Sequence, residues 1–301
     1  MSISYETRRA LARIKNREMD KEWFLRSLKL LEKNGLLKNK NTKCIDFGCS
    51  SCEFVEILRD RFGIKSVAAD YPPVAVDFAK KMGFESFPFN GNDAESLPSE
   101  YVNFAEFATC LGTIEHITDL DSFFKLVYRS LQNNGYFVFT TPNSSSYKSY
   151  FNYLYEGTVE FEGHHFRFLN KPKLLKLIIL NGFDVADELH YRVDSYRLML
   201  AEKIVNYGLN ILKPLFLRLV WARCFENDKC YYQDLRILDW GFLVKKDSNF
   251  IPIGCFPDMD IKGRIDSRTG DYMLEKIRSS LLNQNIINNK EFELLKNTIL
   301  Q

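Results

Sequence analysis

Three cysteines in the stretch KCIDFGCSSCEF, at positions 44, 49 and 52, follow C-x4-C-x2-C, the spacing with which thiolates hold a plant-type iron–sulfur cluster. Cys49 and Cys52 also form a C-x-x-C pair ahead of Glu53, which dithiol redox chemistry can use at a helix start. The carboxylates point elsewhere. Asp46 and Gly48 close one apolar run, and Asp70 closes the next about 20 residues past the loop, where a carboxylate can accept both hydroxyls of a ribose. A third run leads into NGNDAESLP, where Asp93 and the Ala94 backbone can meet the edge of an adenine. After a fourth run come Glu115 and His116, and after a fifth, TTPNS.

The elements that must position these residues alternate. Apolar runs KCIDFG, KSVAAD, FESFPF, FAEFATCL, GYFVFTTP and, after a gap, WGFLVKK are separated by EFVEILRDRF, PVAVDFAKKM, DSFFKLVYRSL and PKLLKLIILNG. The latter have helical periodicity, with Gly83 and Gly182 placed as C-terminal stops. Strand, helix, strand, repeated, predicts a doubly wound α/β domain with a parallel sheet covered on both faces. Ligands then bind outside the carboxyl ends of the strands, which is where the carboxylates fall. Cys44 belongs to the first strand beside Ile45, away from the loop bearing Cys49 and Cys52, so the three thiols do not converge as cluster ligands must. A thioredoxin-like architecture would leave Asp70, Asp93 and the Glu115–His116 pair without a role.

The 301 residues are 46% hydrophobic, enough for a substantial core, and 41 basic against 39 acidic side chains give a net charge of +2. No global field favours nucleic acid or an anionic membrane. The opening residues contain no apolar signal region and the seven cysteines are sparse, so a cytoplasmic, thiol-reduced protein is expected. The apolar tract 198–225 is interrupted by Glu202, Lys203, Lys213, Pro214 and Arg218, short of the ~18 uncharged residues of a membrane span. It reads as an amphipathic helix covering its own core or a homodimer partner. A polar, aromatic-rich stretch from 143 reads as a lid, and Pro72 and Pro73 of DYPP as a stiff turn. TRRALARIKNR (7–17) and LKNKNTK (37–43) read as solvated surface. Residues 5–36 are expected to be helical, ending at Gly35.

Taken together these residues resemble the class I S-adenosylmethionine-dependent methyltransferases, particularly small-molecule and sugar O-methyltransferases with an EH pair after strand four. The likeness covers roughly 40–190, with DWGFLVKKD (239–247) similar to the family's final antiparallel strand. It implies a Rossmann-like core at 39–190 between an N-terminal helical cap (1–38) and a helical insertion (191–235), a final strand at 236–248 and a C-terminal extension (249–301). It implies S-adenosylmethionine held by Asp46, Gly48, Cys49, Ser50, Asp70, Tyr71, Asp93, Ala94, Cys110 and Leu111. His116, and second His165, are the expected proton acceptors, since neutral imidazole suits that task near neutral pH. Glu115, His164, Arg167 and Tyr147 are expected to face the acceptor. HFRFLNKPKLLKLIILNGF matches the family's H-x-R-x-x-[ST] entry into a helix, with Asn170 at the capping position. No metal is expected, because Gly112 stands where relatives with a divalent-metal site supply a further glutamate. One departure concerns D-x-G-x-G-x-G: Ser50 and Cys52 replace its second and third glycines. The expected function is O-methylation of a small molecule or sugar; a catalytically silent scaffold and an RNA methyltransferase are the alternatives.

Overall fold

The computed structural model describes residues 4–19, 21–146, 149, 167, 169–192, 237–248 and 250. Tyr147, His164, His165, most of the expected lid and insertion, and the C-terminal extension lie outside them. The elements run α1 (Tyr5–Lys15), α2 (Glu22–Lys33), β1 (Lys43–Phe47), α3 (Glu53–Phe62), β2 (Lys65–Asp70), α4 (Pro73–Lys81), β3 (Glu85–Pro88), β4 (Ala105–Leu111), α5 (Leu120–Ser130), β5 (Leu131–Pro142), α6 (Lys171–Leu180), β6 (Phe183–Arg192) and β7 (Ile237–Lys246). Short 3-10 turns at Ala94–Ser96, Ser99–Tyr101 and Ile114–His116 lie beyond β3 and β4.

The sheet order is β3-β2-β1-β4-β5-β7-β6. Pairings through β5 are parallel, while β7 runs antiparallel to both β5 and β6. This is the expected Rossmann-like arrangement, mostly parallel with one antiparallel strand among those described. The order turns outward on either side of the β1–β4 pair, and the crevice beyond their carboxyl ends is the topological switch point.

Period-two alternation distributes the core to both faces. Ile45, Phe47, Ala108, Phe137, Phe139, Phe242 and Val244 pack under Phe123, Phe124 and Val127 of α5 and Leu174 and Ile178 of α6. Cys44, Phe107, Val138 and Leu243 point the other way, under Phe24, Leu28 and Leu31 of α2 and Phe54 and Leu58 of α3. Central strands buried on both faces read as continuous apolar runs, which is why they were visible. The Phe124 ring lies edge-on to Phe137, Phe139 and Phe183, a geometry that adds to area burial.

Helix ends follow local chemistry. Asp119 caps α5 by accepting from the Ser122 amide at 3.1 Å, and Asn170 caps α6 through the Lys173 amide, also 3.1 Å. The chain leaves α4 through Gly83 in a left-handed conformation. β6 was not foreseen as a strand. It follows Gly182 at the sheet edge, and bulges at Val185/Asp187 and Tyr191/Arg192 break its alternation. Among the described residues, no helix is long and apolar enough to cross a membrane.

Candidate active site

The loop after β1 is tied down by its own backbone. The amides of Gly48 and Cys49 both donate to the Ala69 carbonyl, at 2.8 and 3.1 Å, drawing the loop over the end of β2. Gly48 has φ +82°, and a Cβ there would stand 2.3 Å from Thr113 Oγ1. The loop after β1 therefore meets the segment after β4 with no room for a side chain.

Asp70 organises the next turn. Its Oδ2 accepts from the Ser50 amide at 2.6 Å and its Oδ1 from the Tyr71 amide at 2.7 Å. Burial pushes its carboxyl up, against the pull of these amides and of Arg13. Ser50 and Cys52 adopt φ +51° and +64°, so the left-handed bends survive where the resemblance has glycine. Each non-glycine residue there carries about 1–2 kcal/mol of strain. Cys52 is offset by complete burial with Val55, Ala68, Ala79 and Phe84.

Asp46 lies beneath this loop. It pairs in register with Thr109 of β4, whose hydroxyl donates to Asp46 Oδ1 at 2.5 Å. Burial drives its pKa up to about 7 despite that bond, with Asp70 and Glu53 adding repulsion. It is thus placed to support the bend from within the sheet. Tyr71 stands exposed beside Asp70, while Cys110 is fully buried and Leu111 half-buried at the end of β4.

Cys49 and Cys52 touch, but the four described thiols do not converge on one point. Cys44 packs on the α2 face, Cys49 and Cys52 between α3 and α4, and Cys110 on the α5 face. Burial raises the pKa of Cys44 and Cys110, and contact with Cys52, then burial, does so for Cys49; the thiolates that cluster or redox chemistry needs are disfavoured.

The loop beyond β3 is held by a residue that sequence reasoning passed over. Asn92 Oδ1 accepts from the Thr118 amide, the Thr118 hydroxyl and the Asp119 amide at 3.0, 2.8 and 2.8 Å, fastening it to the start of α5. Asp93 is exposed and accepts from the Glu95 amide at 2.9 Å. The Ala94 carbonyl is turned to Arg129, at 2.8 Å.

Glu115 and His116 form the 3-10 turn past β4. Glu115 is buried, and its Oε2 has no hydrogen-bond partner among the described residues. Burial lifts its pKa to about 8; Asp239 adds to this, while Arg9 and Arg13 oppose it. The Arg167 amide donates to the Glu115 carbonyl at 3.2 Å, which brings that distant residue to the rim. His116 Nε2 lies 3.2 Å from Arg9 Nη1. A guanidinium has no acceptor, so this ring nitrogen accepts.

The N-terminal segment is exposed at Arg8, Leu11, Ala12, Lys15 and Asn16, as expected of solvated surface, but its other arginines turn inward. Arg9, Arg13 and Arg17 recur every four residues and turn towards the rim. Arg13 reaches the Ser50 hydroxyl at 3.4 Å; Arg17 donates to the Ser51 carbonyl at 3.0 Å and pairs with Glu56. Behind them, buried Glu53 accepts from the Ser51 hydroxyl (2.6 Å), Lys21 (3.2 Å) and the Glu18 amide (3.3 Å). Burial raises its pKa, but the Ser51 hydroxyl, the backbone and Lys21 outweigh that, leaving it lowered. The spacing of four was legible; the loop that the arginines meet was not.

Known proteins resemble the chain in fold. A chain in the complex of the Haloferax volcanii Trm112 methyltransferase activator with a candidate methyltransferase is 13% identical, with TM-score 0.53 over 82% of this chain and 100% of that one. A SAM-dependent methyltransferase from Archaeoglobus fulgidus is 18% identical, with TM-score 0.45 over 73% and 94%. An S-adenosylmethionine-dependent methyltransferase from Mesorhizobium loti is 14% identical, with TM-score 0.45 over 71% and 96%. These likenesses concern the fold. The sequence matches no curated protein. The methyltransferase domain family matches residues 15–188, more than half of the chain, which therefore belongs to that family and has S-adenosylmethionine as its cofactor.

Proposed function

We propose that the protein transfers a methyl group from S-adenosylmethionine to a hydroxyl of a small molecule or sugar. The observation that carries the cofactor site is the double amide capture of Asp70 beside the Gly48 bend. A carboxylate has about four acceptor sites, so each Asp70 oxygen keeps capacity for a ribose hydroxyl while the amides fix its direction. Gly48, Cys49 and Ser50 would lie along the donor, Tyr71 beside the ribose, Asp93 and Ala94 at the adenine edge, and Cys110 and Leu111 on the floor. The donor, when bound, supplies an activated methyl on a sulfonium. What remains for the chain is to align the acceptor, exclude water and receive a proton.

We assign that proton to the Glu115–His116 turn just past β4, with Arg167 brought alongside through its amide. Tyr147, His164 and His165 belong to the acceptor side of this reading, His165 as a second base. A silent scaffold is the competing reading, favoured by side chains on the left-handed bends at Ser50 and Cys52. The inward turn of Arg13 and Arg17 disfavours an RNA-binding role for the basic N-terminus.

The test is methyl-labelled S-adenosylmethionine incubated with the protein and fractionated small metabolites. Labelled O-methyl product is expected, lost in Asp70→Ala and reduced in His116→Ala more than donor affinity is. Donor binding with no labelled product in any fraction supports the scaffold.

A further inference from the structure

We propose that Glu115 takes the proton of the methyl acceptor, acting as the charge partner of the cationic donor; this rests on the methyltransferase reading above. Glu115 is 4% exposed, just past the carboxyl end of β4, and its Oε2 lacks a hydrogen-bond partner among the described residues. A buried polar atom in that condition calls for a functional account. Among the described residues, a Cβ added to Gly112 would meet nothing nearer than Glu115 Oε1, at 3.8 Å. The carboxyl thus borders an opening at the strand end among those residues. His116, by contrast, has Nε2 turned to Arg9 Nη1 at 3.2 Å.

The charges facing Glu115 are Arg9 and Arg13 from α1 and Asp239 from β7, with the Cys110 thiol on β4 and the His116 ring next in sequence. Burial prevails over the two arginines and keeps the carboxyl protonated near neutral pH. A sulfonium at the carboxyl ends of β1 and β4 shifts this balance towards the carboxylate. Binding of the donor therefore expels a proton and creates the base at the moment it is needed.

The step balances. The acceptor O–H bond breaks and its proton passes to the Glu115 carboxylate. The oxygen electron pair forms the new O–CH3 bond, and the pair of the broken S–CH3 bond remains on sulfur. One positive and one negative charge disappear together, leaving a neutral thioether and a neutral carboxylic acid, which favours completion in a buried site.

The test uses the full chain and needs no knowledge of the acceptor. Titration calorimetry near neutral pH, in two buffers of different ionisation enthalpy, counts protons released by S-adenosylmethionine and by S-adenosylhomocysteine, which lacks the sulfonium charge. We expect close to one more proton from the charged ligand. That difference should vanish in Glu115→Gln, which should still bind S-adenosylhomocysteine. Equal release by the two ligands in the unsubstituted protein overturns the proposal, with no variant required. So does a difference that survives in Glu115→Gln. Binding without the difference leaves the methyltransferase reading standing; no binding of either ligand removes that reading and this one together.

Discussion

The Ser50 amide meets Asp70 Oδ2 at 2.6 Å, joining the bend after β1 to the last residue of β2. That bond explains how a loop lacking two of its expected glycines keeps its shape. The strain at Ser50 is opposed by a charge-assisted hydrogen bond, and such bonds exceed neutral ones in strength.

Gly48 is the position where the loop tolerates no side chain. An alanine there meets Thr113 Oγ1 at 2.3 Å and Cγ2 at 2.6 Å, whereas Gly83, with φ +80°, has nothing within 4 Å of an added Cβ among the described residues. Gly83→Ala should cost about 1 kcal/mol, the backbone strain alone. Gly48→Ala should cost about 3 kcal/mol, because overpacking adds to that strain. Urea melts of the two variants measure the difference.

Ser50→Gly should stabilise the protein by about 0.5 kcal/mol, since relief of left-handed strain exceeds the entropy cost of glycine. Cys52→Gly should destabilise by about 1 kcal/mol, because its thiol is fully buried against Val55 and Phe84. Opposite signs in denaturant melts are the expected outcome.

Much of the fold was legible. β1, β2, β4 and β5 announced themselves as apolar runs because both sheet faces are covered, and the positions of Asp70 and Asp93 just beyond strands followed from those runs. β6 escaped because Asp184, Asp187 and Glu188 lie at a bulged edge. The arginines of the N-terminal segment escaped for a different reason: Arg9 and His116 are 107 residues apart, and local pattern carries no information about such pairs.

Arg17 fastens that segment to the Ser51 carbonyl and to Glu56. Arg17→Ala should speed amide hydrogen exchange in Tyr5–Lys15 about tenfold while β4 and α5 stay unchanged, since local opening loses about one charge-assisted bond. Mass-spectrometric exchange reads this directly.

Stability should fall as pH rises. Asp46 and Glu115 are lifted to about 7 and about 8, mainly by burial, above the ordinary carboxylate values near ~4. The native state therefore keeps their protons after the unfolded chain has lost them, so this stability is complete below ~4 and is lost as pH passes the native values. Glu53 and Asp187 are lowered and act with the opposite sign, below ~4. The ligand-free melting temperature should decline between about pH 5 and about pH 9, and Asp46→Asn with Glu115→Gln should flatten the decline.

The central claim is that the Gly48–Cys52 bend and Asp70 together hold the adenosyl group. Calorimetric titration of S-adenosylhomocysteine into the protein and its Asp70→Ala variant tests it. The account predicts saturable heat for the former and affinity weakened at least about tenfold for the latter, from loss of a carboxylate bonding to ribose. Equal affinity in both proteins, or no heat from either, would contradict it.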